Sequence, residues 1–346
     1  METSSDNGET KRQIVDAIIK TEKLCEFSTL LHPTNEQEQK ELFLSGAKNE
    51  PTFTYKKNIA PDIYIPFCSR ESEIGNMYMD RREHVLMELE LFKNIGSDKE
   101  FTELSLKLFP IHEINIVPGK KEKEEEELLS AEGVVFRFKD AIKNLSESDW
   151  SLKIRDDLSS RIFVNQWDKK IVIKEGLKLT KTELNELLRH EVGAHILRSI
   201  QGGKQSEPIL WVGTRRGRLF EEGIACFLED PNGPERIFLR HFAVMHAQTH
   251  SFKETWLELC NKGMSGEDAW AMTLRIKRGL SSGASHGGFT RDAMYAQAFE
   301  EAKEYIEKGG DISPLLSAPI HPDEIDILKE KAEMRIFRTP SWLKIK

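Results

Sequence analysis

The sequence predicts an α+β fold that is mainly helical, with one small antiparallel sheet between two helical regions. Apolar residues recur at helical spacing through much of the first 145 residues and again from 219 to 337. Two short runs near the middle of the chain are rich in β-branched and aromatic residues, as strands are. Because strands and helices do not alternate along the chain, a parallel βαβ architecture is not predicted.

The N-terminal part is predicted to form a helical layer. We expect a disordered tail over 1–9, where the chain is polar, and a helical region over 10–145 that packs on a domain over 146–340. Helical periodicity is strongest from about 10 to 46 and over 76–97. The chemistry of the protein is therefore expected in the last two thirds of the chain.

Two segments interrupt this layer. Residues 47–72 are rich in proline and aromatic residues and are predicted to be irregular or extended. Residues 119–128 (GKKEKEEEEL) form the strongest charge run. We expect a solvated helix start or an exposed loop there, because blocks of like charge usually stay in water. Apolar residues between 128 and 142 predict a further helix.

A hairpin is predicted in the middle of the chain. The strand-like runs 161–165 (RIFVN) and 170–174 (KIVIK) are separated by a short polar link. The chain then becomes helical again. Thr180 and Thr182 are both candidates to cap a helix that runs on through Leu184 and Leu188.

Composition excludes several classes of function. The net charge of −8 argues against a nucleic-acid partner, and no apolar run is long enough to span a membrane. The polar N-terminus lacks the apolar core of a secretory signal, so we expect a cytoplasmic protein. Four widely spaced cysteines without a CxxC pair indicate reduced thiols rather than a cysteine zinc site.

The segment 187–197 (LLRHEVGAHIL) carries the motif with the clearest chemistry. It resembles the zinc-peptidase signature H-E-x-x-H with one residue added, so that His190 and His195 are five positions apart. On a regular α-helix, residues at this spacing point roughly 140° apart and cannot share one ion. Either a π-bulge absorbs the extra residue, or the helix unwinds at Gly193. We predict the π-bulge, eased by Gly193.

A zinc site of this type needs a third protein ligand and a base. Glu221 and Glu222 begin a second apolar helix, and both are candidates for the ligand. Because burying two adjacent carboxylates without partners is costly, we expect a metal to satisfy one and an arginine the other. Glu191 is then the base by elimination and position. The alternative is that these are ordinary surface residues or a satisfied core pair.

The two segments together resemble the tyrosine carboxypeptidase family and its bacterial relatives with a "QEGLA" motif. Residues 190–195 (HEVGAH) and 221–225 (EEGIA) carry the resemblance, with Ile224 in place of leucine. Further matches are 51–55 (PTFTY), which resembles a P-x-F-x-Y element, and 289–295 (FTRDAMY), which resembles F-x-K-D-x-x-Y with arginine for lysine. The likeness is clear over about 150–300 and weaker elsewhere.

The resemblance implies a zincin-like metallopeptidase that removes a C-terminal residue, aromatic in the characterised cases such as tyrosine. It implies Zn²⁺ as the cofactor, His190, His195 and Glu222 as its ligands, and Glu191 as the base. The implied substrate is a peptide or protein C-terminus, and tubulin is a possible partner by resemblance only. The alternatives are a zinc endopeptidase or amidohydrolase with the same core, and a non-catalytic zinc-containing binding module.

A carboxypeptidase must recognise a free α-carboxylate, and arginine binds carboxylates with a planar fork. Two basic clusters are candidates, namely Arg215, Arg216 and Arg218, and Arg275, Lys277 and Arg278. We favour Lys277 and Arg278, then Arg291, beside a Gly/Ser-rich stretch over 279–288 that is a candidate mobile loop over the site. Tyr295 is predicted to donate a hydrogen bond to the oxyanion. Surface cations and a structural tyrosine are the plainer alternative.

Overall fold

The computed structural model describes residues 3–25, 30–56, 63–114, 127–145, 149–156 and 161–343. The predicted charged segment over 119–128 lies outside the described residues, except for its last two positions. The described chain is mainly helical with two small sheets, which confirms the predicted α+β class.

The N-terminal region is helical, as predicted. Its helices are α1 (Thr3–Leu24), α2 (Glu36–Leu44), α3 (Glu73–Lys93) and α4 (Asp98–Leu108). Helix α1 already begins at Thr3, where a disordered tail over 1–9 was predicted. A helix extends at low cost from a turn that is already formed, and Ile14 and Ile18 fix such turns by burial.

The strands form two sheets, one of three strands and one of two. The strands are β1 (Leu128–Leu129), β2 (Ser151–Arg155), β3 (Ile162–Asn165), β4 (Lys170–Lys174) and β5 (Leu179–Thr180). The three-stranded sheet has the order β2-β4-β3, and β1 pairs with β5 in the other sheet. Strands β3 and β4 pair antiparallel, which confirms the predicted hairpin. Strand β2 pairs parallel to β4, so the three-stranded sheet is mixed rather than antiparallel. Because Ile171, Val172 and Ile173 are all buried, β4 takes the central position and β2 pairs with it instead of with β3.

The rest of the described chain is helical. It contains α5 (Ala131–Lys143), α6 (Lys181–Leu188), a π-helical segment (Arg189–Ile196), α7 (Leu197–Gly202), α8 (Ile209–Val212), α9 (Arg215–Glu229), α10 (Glu235–Ala247), α11 (Phe252–Asn261), α12 (Gly266–Lys277), α13 (Ala293–Glu307), α14 (Ser313–Ser317) and α15 (Ile325–Lys331). Short 3₁₀ turns lie at Thr290–Asp292, Pro322–Glu324 and Ser341–Leu343. Thr180, not Thr182, caps α6, in a capping box with Glu183.

Two apolar cores pack against the helices that carry the two adjacent glutamates and the two histidines. In the larger core, Ile14 and Ile18 of α1 pack with Phe220 and Ile224 of α9. The second core lies between the mixed sheet, α5 and the π-helical segment. The N-terminal layer therefore shares one core with the helices that follow the sheet, whereas the predicted boundary between 145 and 146 stays a prediction.

None of the helices in the described ranges combines the length and apolar character needed to cross a bilayer.

Candidate metal centre

The π-helical segment Arg189–Ile196 brings two imidazoles together. Its flanking residues Leu188 and Leu197 keep right-handed helical angles, so the helix continues through the distortion without unwinding. A π-helix bonds residue i to i+5, which places His190 and His195 one above the other. Their Nε2 atoms lie 3.4 Å apart. The predicted π distortion is confirmed, and unwinding at Gly193 does not occur.

Gly193 lies within the π-helical segment and also has a packing role that was not predicted. A Cβ at this position would lie 2.4 Å from Cδ2 of Leu343. Leu343 also packs with Ala194, Leu197 and Ala225 in a small apolar cluster. The glycine therefore lets Leu343 reach the back of the π-helical segment.

Glu222 completes a triangle of donor atoms with the two histidines. Its Oε2 lies 3.7 Å from Nε2 of His190 and 3.7 Å from Nε2 of His195. A point equidistant from the three atoms is about 2.1 Å from each, which matches the bond lengths of zinc to imidazole and carboxylate. This donor set fits Zn²⁺.

Close packing of two helices places Glu222. A Cβ at Gly223 would lie 2.2 Å from the carbonyl carbon and oxygen of Ala298. Helices α9 and α13 can therefore approach this closely only because residue 223 is glycine. Tyr295 lies one turn before Ala298 on α13 and lines the same cavity as Glu222. The Glu-Glu-Gly sequence thus supplies both a donor and the approach of the facing helix.

Each histidine also contacts a carboxylate through its other ring nitrogen. Nδ1 of His195 lies 3.1 Å from Oε1 of Glu221, and Arg218 binds the other oxygen of Glu221. The expectation that an arginine would satisfy the second glutamate is therefore confirmed. Such carboxylates fix the ring orientation and leave Nε2 free to bind a metal.

The partner of His190 was missed in the sequence. Nδ1 of His190 lies 2.9 Å from Oε2 of Glu229, and Arg236 holds both oxygens of Glu229. The available signal was helical spacing, because Glu229 follows Glu222 by two turns on the same face of α9. Helical spacing alone could not identify Glu229 as the partner of His190, because the sequence does not show where His190 lies relative to α9.

Cys226 lies near enough to His190 and Glu229 to form a second group of possible metal donors. Burial raises the pKa of the Cys226 thiol, so the thiolate needed for a metal bond is disfavoured. Glu229 is already held by Arg236. The group of His190, His195 and Glu222 is therefore the better candidate.

The centre is acidic and favours a cation. Burial alone would lower the pKa of His195, but the carboxylates of Glu222 and Glu221 raise it to about 9. Burial would raise the pKa of Glu229, but His190 and Arg236 lower it to about 2. Two imidazoles and a carboxylate thus face one another with negative charge in excess around them.

The centre opens into a cavity of about 1090 Å³. Glu191 lines this cavity and is half-buried, and its role as the base stays a prediction. Arg278, Arg291 and Tyr295 line it as well. Burial and the charge of Glu222 raise the pKa of Tyr295 to about 12, so its hydroxyl keeps its proton at neutral pH and can donate it in a hydrogen bond.

Lys277 does not line this cavity, and the structure corrects the prediction for it. Its side chain is fully buried, and Nζ donates to the carbonyl oxygens of Ala247, His250 and Ser285 at 3.1, 2.6 and 2.9 Å. All three N–H donors are thereby used inside the fold. Lys277 holds a loop in place and leaves no donor for a substrate.

The Gly/Ser-rich stretch over 279–288 is anchored rather than free to close over the site. The carboxylate of Asp98 accepts hydrogen bonds from Ser281, Ser282 and Ser285. The family-like element 51–55 clamps the same loop, because the Tyr55 hydroxyl donates to the Leu280 carbonyl and accepts from the Gly279 N–H. The element PTFTY is therefore a support of this loop.

The N-terminal layer and the hairpin form the remaining walls of the cavity. Glu22, Arg81, His84 and Glu88 line it from α1 and α3, and residues 161–167 line it from the hairpin. Strand β3 is at the edge of its sheet on this side. Sequence periodicity marked these helices as apolar, but it could not show which of their charged residues face inward.

Comparisons with known proteins identify the family of the chain. A family model described as microtubule-associated tyrosine carboxypeptidase matches residues 110–346. MATCAP2 of Mus musculus is 26% identical over 170 residues, which are 46% of this chain and 32% of that relative. Microtubule-associated tyrosine carboxypeptidase 1 of Homo sapiens is 29% identical over 121 residues, which are 32% of this chain and 26% of that relative. The chain therefore spans about a third or less of the length of these curated relatives.

Proposed function

Because the chain belongs to the microtubule-associated tyrosine carboxypeptidase family, we propose that it is a zinc-dependent carboxypeptidase. It removes a C-terminal aromatic residue such as tyrosine from a peptide or protein. The observation that carries this proposal is the triangle of His190, His195 and Glu222, with separations that suit one zinc ion. A histidine-bearing helix beside a small sheet, followed by a helix with the third donor, also supports a zincin-like fold.

In the proposed mechanism, His190, His195 and Glu222 would hold Zn²⁺, which would supply a Lewis acid for the scissile carbonyl and lower the pKa of a nearby water. Glu191 takes the proton of the attacking water and passes it to the leaving amine. The Tyr295 hydroxyl, protonated at neutral pH, donates a hydrogen bond to the developing oxyanion. Glu221 and Glu229 hold the two imidazoles in the tautomer that presents Nε2 to the site.

The substrate class follows from the cavity and the family name together. A cavity of about 1090 Å³ has room for several residues of an extended peptide. Tubulin is proposed as a substrate by resemblance alone, as is a cytoplasmic location, because the human relative is named for microtubules and the chain spans only part of that relative.

The test uses peptides that differ only in their last residue, each with a free or an amidated C-terminus. Mass spectrometry should show the loss of one terminal aromatic residue from the free acids only. Glu191→Gln should lower kcat by about 10²- to 10⁴-fold with zinc content unchanged, since only the proton transfer is removed. Zinc content is measured by elemental analysis of the purified protein.

Three results would count against the proposal. Internal fragments from amidated peptides would indicate an endopeptidase. Equal cleavage by Glu191→Gln would remove Glu191 as the base. A zinc-loaded wild type that cleaves no peptide of a broad library would favour a binding module.

A further inference from the structure

We propose that Arg240 and Arg278 form the site that binds the α-carboxylate of the substrate's last residue, supported by the ion pair of Arg275 and Asp292. The inference rests on the proposed carboxypeptidase function and adds the residues that would make the enzyme act at a chain end. It replaces Lys277 with Arg240, which the sequence did not single out.

The charges along the cavity wall separate two kinds of arginine. Each of four arginines has a carboxylate partner, in the pairs Arg81–Glu22, Arg218–Glu221, Arg236–Glu229 and Arg275–Asp292. Arg240 and Arg278 line the same cavity. Within the described ranges, neither has a carboxylate at ion-pair distance. These two guanidinium groups therefore carry the uncompensated positive charge of the wall.

Unpaired hydrogen-bond donors also point to Arg240 and Arg278. The Nε atoms of Arg240 and Arg278 are buried, and neither has a hydrogen-bond partner among the described residues. A buried N–H without a partner costs free energy, and an unpaired group of this kind in a native structure requires an explanation, such as an ordered water or a bound ion. Each guanidinium instead lies over an aromatic ring, Arg240 over Tyr295 at 5.7 Å and Arg278 over Phe289 at 4.7 Å.

The surplus charge is concentrated around a single acid. Nε and Nη2 of Arg275 both donate to Asp292, which is almost fully buried. The charges of Arg240 and Arg278 also act on this carboxylate and help to lower its pKa. Burial and the neighbouring Arg275 lower the pKa of both free arginines, that of Arg278 to about 9. Three cations and one anion have a net positive charge that a second anion would balance. A planar carboxylate also matches the geometry of the guanidinium fork.

Tyr295 connects this arginine cluster to the metal centre. Its ring lies beneath Arg240, and its helix packs against the helix of Glu222 at Gly223 and Ala298, with both Tyr295 and Glu222 lining the cavity. A substrate whose terminal carboxylate binds Arg240 and Arg278 would therefore place its last peptide bond toward Glu222. Arg291 also lines the cavity, but unlike Arg240 and Arg278 it is not among the buried groups without a hydrogen-bond partner, so it is the weaker candidate.

Binding of N-acetyl-L-tyrosine and N-acetyl-L-tyrosinamide tests the site without requiring catalysis. These probes differ only in the terminal charge, and calorimetry on the zinc-loaded protein compares them. The wild type should bind the acid at least about 10-fold more tightly than the amide, in line with a charge-assisted pair. Arg240→Gln and Arg278→Gln should each remove most of that preference and leave amide binding unchanged. Arg137→Gln, at an exposed position on α5, is the control.

Equal binding of acid and amide by the wild type would overturn the inference, as would either variant that keeps the preference. A second arm compares free-acid peptides with glutamate or glutamine before the last residue. A preference that follows the glutamate side chain rather than the terminal carboxylate would assign the site to a side chain and reject the proposal. Loss of the acid preference in variants of a protein that cleaves no peptide would support this site while the proposed function fails.

Thermal unfolding separates ligand binding from a structural role. Because both guanidinium groups lack a carboxylate partner, Arg240→Gln and Arg278→Gln should leave Tm unchanged or raise it. A fall of several degrees together with lost binding would indicate that the arginines hold the fold. Arg278→Lys keeps the charge without the planar fork, and it should bind the acid less tightly than the wild type but more tightly than Arg278→Gln.

Discussion

The two ends of the cavity handle charge in opposite ways. At the metal centre, His195 contacts Glu221, which binds Arg218, and His190 contacts Glu229, which binds Arg236. At the arginine cluster of Arg240, Arg275 and Arg278, Asp292 is the one buried acid among the residues that the structure describes. At the candidate metal centre, carboxylates surround the two imidazoles, so the site suits a bound cation. At the arginine cluster, positive charge exceeds negative charge, so the site suits an anion that binds and leaves.

Replacing the buried acid of the arginine cluster should have the largest effect. Asp292→Asn breaks the ion pair of this buried acid with the partly exposed Arg275, and breaking a buried pair costs up to about 3–5 kcal/mol. Urea denaturation at pH 7 measures this loss, with Asp140→Asn on the exposed face of α5 as the control. A loss below about 1 kcal/mol would contradict the charge imbalance.

The same variant gives a prediction of pH dependence. Burial would raise the pKa of Asp292, but Arg275 and Arg240 lower it well below the ordinary 3.8. A lowered pKa stabilises the fold above the unfolded value, and that stabilisation is lost as the pH falls further. The difference between wild type and Asp292→Asn should therefore be constant above about pH 5 and shrink by roughly 1 kcal/mol per pH unit below 3.8. A difference that grows in acid would contradict this sign.

The contact that joins the two ends should be next in size. Gly223→Ala places a Cβ against the backbone of Ala298 and forces α9 away from α13, which costs about 1–3 kcal/mol. Both Glu222 and Tyr295 should shift, so zinc affinity should fall along with stability. Gly266→Ala is the matched control, because its Cβ would meet only Trp256 at an ordinary 3.5 Å. Equal stability of the two variants would show that the helices are not in close contact.

Removing one carboxylate at the candidate metal centre should have a smaller effect, seen in zinc affinity. Glu229→Gln removes the charge that orients His190 and leaves the three donors in place, so zinc affinity should fall about 10- to 100-fold. Competition with a chromophoric chelator measures the Kd, and Glu235→Gln at an exposed position of α10 is the control. An unchanged Kd would mean that Glu229 serves only Arg236.

The smallest effect is expected outside the cavity. Arg216 pairs with Asp323 at 2.6 Å, and both side chains are more than half exposed. Arg216→Gln should change the free energy of unfolding by less than about 1 kcal/mol and leave peptide cleavage unchanged. A marked loss of activity would mean that the substrate reaches beyond the cavity to the other basic cluster of the sequence.

Locally encoded features could be predicted from the sequence. The hairpin follows from two strand-like runs and a short link, and the π distortion follows from two histidines whose spacing a regular helix cannot use. Glu222 became distinct from Glu221 only through the family resemblance, and the structure separates the two by placing Glu222 near both Nε2 atoms and Glu221 on Nδ1 of His195.

Features set by distant contacts could not be predicted. Lys277 had the charge and position of a carboxylate binder, but three carbonyl groups from separate segments surround its ammonium. Arg240 lies in an ordinary amphipathic helix. Among the described residues, it is distinguished only by an Nε without a hydrogen-bond partner and by having no carboxylate at ion-pair distance. The parallel pairing of β2 likewise depends on which strand is buried on both faces.

The shared core of α1 and α9 limits how this protein can be divided. The matching family model begins at residue 110, yet Glu22 pairs with Arg81 and accepts a hydrogen bond from Trp167 of the hairpin link. A chain shortened to start at 110 would remove the apolar residues that α1 and α3 contribute to this shared core, and the exposed apolar surface would promote aggregation. The part of the chain that the family model matches therefore depends on the N-terminal helices, and a fusion or domain exchange should include the first hundred residues.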